Sequence, residues 1–144
     1  MKSMRLVLDT NVWIDWLVFD DPSITPLRAA HQDGRIQIVL DEACLDELKK
    51  VLAYPQFNLA PAQRESNLAK VGSLVVKPGI QPVTGSAALP RCRDPDDQKF
   101  VTLAFYSSAR WLLTRDKALL GLNRRLKTKG IRVGTPMEWS ASMH

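Results

Sequence analysis

Short apolar runs bounded by turn residues recur along the chain, and between them apolar positions return at helical spacing. "RLVL", Arg5 to Leu8, reads as a buried strand, and Val12 to Val18 behind it has the spacing of a helix for which Thr10 or Asn11 is the expected cap. Thr25-Pro26 places a cap before a proline and predicts a helix that stops near Gly34. A second strand, Ile36 to Leu40, follows. Asp41 then reads as the N-cap of a helix whose Leu45, Leu48 and Leu52 share one face until Pro55 ends it. Leu68, Val71 and Leu74 predict another helix from Pro61, leading into a strand at Leu74 to Val76. Lys77 to Pro90, rich in Pro, Gly and Ser, is expected to be a surface loop. Asp94-Pro95 opens a helix through Phe100, Leu103, Ala104 and Tyr106, and Trp111 to Thr114 is a fourth strand. After a short helix, Ile131 to Val133 is a fifth strand, and Thr135-Pro136 starts a final turn or helix.

Short apolar strands alternating with helices indicate an α/β fold with a parallel sheet covered on both faces. At 144 residues, 45% of them hydrophobic and 24% charged, residues 1–144 are expected to form one domain with a sizeable core. Cys44 and Cys92 lie in no CxxC pair and no histidine cluster, so reduced thiols are expected rather than disulfides or zinc. No leader-like segment and no run approaching ~20 apolar residues is present, so no membrane association and a cytoplasmic location are expected. The net charge of +5 leans toward a polyanionic partner.

In parallel α/β sheets, function gathers outside the carboxyl ends of the strands, where the winding reverses. Two predicted strands end on an aspartate: Asp9 in "LVLDTNVWI" and Asp116 in "LLTRDKALL". Glu47, on the polar side of the helix after strand two, and the cluster Asp94, Asp96 and Asp97 can reach the same edge. Taken singly, each has a plain structural role: Asp41 and one of the Asp94 cluster as caps, Asp116 as the cap of "KALL", Glu47 and Asp15 as surface charge. Four separated segments delivering acids to one edge demand more than caps. Carboxylates about 5 Å apart repel by ~3 kcal/mol at an effective dielectric near 20, so such a group calls for a cation. Oxygen donors without His or Cys select Mg²⁺ or Mn²⁺.

"LVLDTNVWI", "LDELKKVL", "RDPDDQKFVTLA" and "LLTRDKALL", in this order and spacing, resemble the four motifs of the PIN-domain ribonucleases over nearly the whole chain. Within them the pattern is similar to the VapC-like "DPDD" subgroup, described as toxin components of toxin-antitoxin systems. The resemblance implies a three-layer α/β/α fold with a central parallel sheet of about five strands. It implies a metal-dependent endoribonuclease that cuts single-stranded RNA by in-line attack of water, leaving a 5′-phosphate and a 3′-hydroxyl, and a small antitoxin protein as partner. Carried over by position, Asp9, Glu47, Asp97 and Asp116 are the metal-binding and catalytic acids, with Thr10, Asn11 and Thr114 as supporting polar neighbours and Asp94 and Asp96 in reserve. Gln98 stands where some members carry a further acid, so a complete second metal site is not expected.

Arg93, Lys99 and Arg115, inside the acidic motifs, are the candidate RNA contacts, alongside Arg91. The distal run Arg124, Arg125, Lys127, Lys129 and Arg132 reads equally as RNA contact or solvated face. Trp13 and Trp16 are expected in the core or in the interface of a homodimer, and His31 on the surface. Two further functions compete with the nuclease. One is a non-catalytic module of the same fold that binds RNA or protein. The other is a phosphohydrolase with Asp9 as nucleophile, which would want an aspartate where Asn11 stands.

Overall fold

The computed structural model describes residues 3–78 and 89–143, so most of the predicted Lys77–Pro90 loop lies outside the described residues. Five short strands form one sheet: β1 (Met4–Leu8), β2 (Ile36–Val39), β3 (Val75–Val76), β4 (Trp111–Leu113) and β5 (Arg132–Gly134). Their order is β3-β2-β1-β4-β5 and every pairing is parallel. The chain steps outward from β1 to β2 and β3, then returns to β1's other side with β4 and β5. The winding therefore reverses between β1 and β4.

The helices are α1 (Thr10–Ile14), α2 (Thr25–Gln32), α3 (Glu42–Leu52), α4 (Pro61–Leu74), α5 (Gln98–Tyr106), α6 (Lys117–Leu120), α7 (Asn123–Lys127) and α8 (Pro136–Ser142). Their ends follow local chemistry. Gly34, at φ +73°, turns the chain out of α2, and Thr135 opens α8 with a capping box in which its hydroxyl accepts from Glu138 N while Glu138 accepts from Thr135 N. Asp41 caps α3 by accepting from Cys44 N at 2.9 Å. The first helix differs from expectation: Asp9, not Thr10 or Asn11, is its cap, because α1 begins directly at Thr10 and Asp9 is the last residue with extended backbone.

The helices pack in two groups about the sheet, the three-layer α/β/α arrangement. One contains α2 against β2 and α8 against β4 and β5, and the other α5 against β1 and β4 with α3 and α4 beside it. Leu6, Val7 and Leu8 of β1 and Leu112 and Leu113 of β4 are fully buried, as central parallel strands must be. Trp13 and Trp16 lie in this core with their rings 5.9 Å apart. His31 is half-buried rather than exposed, its ring bonded to the Leu74 carbonyl at 2.9 Å, because α2 lies beside the end of α4. No described helix is long and apolar enough to cross a membrane.

Candidate metal centre

Asp9 is built into the reversal point by the backbone itself. Its N–H donates to Leu113 O at 2.8 Å, one rung beyond the β1–β4 register, which fixes the residue between the two central strands. Three donors then hold its carboxylate: Thr10 N at 2.7 Å on Oδ1, and Thr114 Oγ1 at 2.7 Å and Asn11 Nδ2 at 3.3 Å on Oδ2. All three are neutral. Burial raises the Asp9 pKa above the ordinary carboxylate range; the bonds from Thr114 and Thr10 oppose that rise, and the charges of Glu47 and Asp116 add to it.

Thr114 links two of the predicted acids. Its Oγ1 donates to Asp9 and accepts from Asp116 N at 2.9 Å, while Asp116 Oδ1 accepts from Ala118 N and caps α6. Asp97 ends the 3₁₀ turn Pro95–Asp97 and sits half-buried between them. Its pKa is pushed up to about 7, first by burial, then by a hydrogen bond to Asp116 and by the charges of Asp9, Asp116 and Asp94. Asp94 caps that 3₁₀ turn through Asp96 N at 2.9 Å. A cleft of about 450 Å³ is lined by Asp9, Asp94, Asp97 and Asp116, with Phe19 and Phe57 among its apolar walls. Asp96 is exposed and does not line it.

Glu47 stands apart from the other three. One of its oxygens accepts from the Thr10 hydroxyl and the other pairs with Lys99 Nζ at 2.7 Å, so it reaches Asp9 only through Thr10 and through its field. Among the described residues, no three Asp, Glu, His or Cys side chains converge closely enough to cage an ion by themselves. Thr10, Asn11 and Thr114 each touch an acid.

Asp15 departs most from the expectation set by the sequence. Expected on the surface, it is 3% exposed and pairs with Arg115, whose Nε lies 2.8 Å from Oδ2. Asn11 Oδ1 accepts from Arg115 N at 3.2 Å, so Asn11 and Asp15 together clamp the segment that delivers Asp116. Their i, i+4 spacing was the available signal. Behind α1 the helix widens into a π turn, Asp15–Phe19, which leaves the Asp15 carboxylate facing the loop after β4. Gln98, where an acid was lacking, serves the backbone instead, since its side chain accepts from Cys92 N at 2.8 Å and donates to Pro90 O at 3.2 Å. It thereby anchors the stretch before Asp94. Of the three candidate RNA contacts, Lys99 and Arg115 already face Glu47 and Asp15, while Arg93 is exposed.

Comparison with known proteins bears on the family and the fold. The profile of the PIN domain matches residues 5–118, a span that contains Asp9, Glu47, Asp94, Asp97 and Asp116. No curated protein matches the sequence. Among solved structures, the chain is similar to one in the crystal structure of VapBC2 from Rickettsia felis bound to a DNA fragment from their promoter. The two share a TM-score of 0.61 at 14% sequence identity, over 90% of this chain and 97% of that one. At that identity the likeness is one of fold.

Proposed function

The chain belongs to the PIN domain family, and from that premise we propose that it is a Mg²⁺- or Mn²⁺-dependent endoribonuclease acting on single-stranded RNA, with residues 1–144 working as one domain. The observation that carries this is the crowding of Asp9, Asp97 and Asp116 where the sheet reverses, with no basic side chain paired to any of them among the described residues.

The donor set fits a small hard cation. It consists of carboxylate oxygens; burial first, and the charges of neighbouring acids after it, raise the pKa values of Asp9 and Asp97. Mg²⁺ usually takes one or two carboxylates and keeps its waters and substrate phosphates, so it does not require all of these acids as direct ligands. Asp9, Asp97 and Asp116 would hold it, with Glu47 adding negative potential through Thr10. When bound, a divalent ion supplies Lewis acidity toward a phosphodiester oxygen and toward a water.

The chain's own residues do the rest. Thr114 and Asn11 keep the Asp9 carboxylate aimed into the cleft, and the Asp15–Arg115 clamp keeps Asp116 opposite it. Asp97, whose pKa burial and its acidic neighbours push up to about 7, would hold a divalent ion in its deprotonated form, so ion binding would be coupled to loss of its proton. Phe19 and Phe57, 5.9 Å apart and edge to face at the cleft wall, offer an apolar surface on which an unpaired base can stack. Water attack in line with the leaving 3′ oxygen leaves a 5′-phosphate and a 3′-hydroxyl. The likeness to a chain of the VapBC2 complex supports a toxin role with a small antitoxin as partner; a homodimer and a cytoplasmic location are part of the same proposal.

A non-catalytic RNA- or protein-binding module is the second reading, favoured by the absence of a ready-made three-acid cage among the described residues. RNA incubated with the protein and Mg²⁺ or Mn²⁺, against EDTA and against Asp9→Asn, separates the two. Cleavage that needs both the ion and Asp9 supports the nuclease. RNA left intact under every condition overturns it.

A further inference from the structure

A strongly basic cavity lies beside the acidic cleft. Arg91, Arg93, Lys117 and Arg125 line a space of about 430 Å³, with Gly121 and Leu122 among its other walls. Arg93 is the chain neighbour of Asp94, and Lys117 that of Asp116. Cys92 is close to both regions: burial and the charges of Asp97, Asp116 and Asp94 raise its thiol pKa, and the charge of Arg125 lowers it.

None of the four cations has a carboxylate within ion-pair distance among the described residues, and none of their side chains donates a hydrogen bond there. Arg28, Arg35, Lys99 and Arg115 are, by contrast, each paired with an acid. Four like charges gathered around one cavity repel one another, and an anion placed among them removes that cost. Three of the four are arginines, whose planar forks match the two oxygens of a phosphodiester. The cavity is too large for a bare phosphate alone and suits a nucleotide unit.

We propose that this cavity is a phosphate-binding subsite that holds the backbone of single-stranded RNA next to the scissile position. The proposal rests on the ribonuclease reading for its substrate. In it, opposite fields set the register of the strand. The acidic cleft takes a phosphate only together with a cation, whereas the basic cavity takes the neighbouring phosphate directly.

The test is fluorescence anisotropy of a labelled single-stranded RNA in EDTA, where no metal-dependent cleavage occurs, over a range of salt. It compares wild type, Arg91→Ala/Arg125→Ala, the other lining pair Arg93→Ala/Lys117→Ala, and the charge-matched control Lys50→Ala/Lys70→Ala on α3 and α4. Thermal melts verify that each variant folds. We expect either wall pair to weaken binding about tenfold and to flatten the slope of log K against log salt by about 1.4, at roughly 0.7 per lost single-strand phosphate contact. The control should match wild type. Equal affinity and slope in all four proteins overturn the proposal even if wild type cleaves RNA, so the nuclease reading survives that failure. Loss of RNA binding in both wall variants, with no cleavage by wild type in Mg²⁺ or Mn²⁺, supports the subsite and overturns the nuclease instead. Unchanged RNA affinity, with a glutamate-rich peptide bound by wild type and released by the wall variants, assigns the cavity to an acidic protein segment and overturns the proposal.

Discussion

Asp9 and Asp15 lie six positions apart and are almost equally buried, at 5% and 3% exposure, and burial raises the pKa of both. They differ in what faces them. Asp15 meets the guanidinium of Arg115, supplied by the same chain. Asp9 meets a backbone N–H, a threonine hydroxyl and an asparagine amide, and its charged neighbours are Glu47 and Asp116. Burial therefore does not distinguish the two. The fold neutralises Asp15 internally, so its energy is spent on shape, whereas Asp9 is oriented but left for a cation from outside.

The widest separation between them should appear in activity. Asp9→Asn keeps an oxygen acceptor for the cap yet removes the charge, so cleavage should fall by about 100-fold or more while the melting temperature stays level or rises. Asp15→Asn should behave in the opposite way, losing stability before chemistry. A large activity loss from Asp15→Asn at unchanged stability would erase the distinction.

The clamp can be broken from its other side. Arg115→Ala strands a buried carboxylate and should cost about 2 kcal/mol in chemical denaturation, below the usual penalty for a broken buried pair because the Arg115 side chain is 53% exposed. An effect below about 0.5 kcal/mol would mean that water reaches Asp15 and that the clamp is incidental.

Next comes the unneutralised group. Asp97→Asn should raise the stability of the ion-free protein by about 1 kcal/mol by removing one of the mutually repelling charges. The pH dependence follows in sign. The folded pKa of about 7 lies above the unfolded value near 3.9, so between them the folded chain holds the extra proton. Asp97's contribution is thus most favourable below about pH 4 and is lost as pH rises through about 7. Wild-type minus Asp97→Asn melting temperatures should fall over that window in EDTA, and Mg²⁺ affinity should weaken as pH drops below about 7. A flat difference would show that Asp97 does not titrate there.

The smallest effect concerns Glu47. Lys99→Gln frees its carboxylate, and the added negative field at Asp9 should strengthen Mg²⁺ binding by about threefold in calorimetry, the scale of a partly exposed ion pair. Unchanged or weaker binding would place Glu47 outside the centre.

Periodicity and end signals placed the five strands and most helices on the sequence alone, because apolar spacing, the caps Asp41 and Thr135 and Gly34 act over a few residues; they missed that Thr25 makes no capping bond and that two short helices, not one, follow β4. Local pattern also marked Asp9, Asp116 and the cluster Asp94, Asp96 and Asp97, since these end a strand or open a helix, and it was the family resemblance that singled out Asp97 within the cluster. Only the tertiary structure decided how these charges are compensated. Arg115 reaches Asp15 from 100 positions away and Thr114 reaches Asp9 from 105, while Lys99 engages Glu47 and the four cations of the basic cavity meet no acid among the described residues. Charge compensation acts through space over a few ångströms, and which charges come that close depends on strand order, which no local stretch of sequence contains.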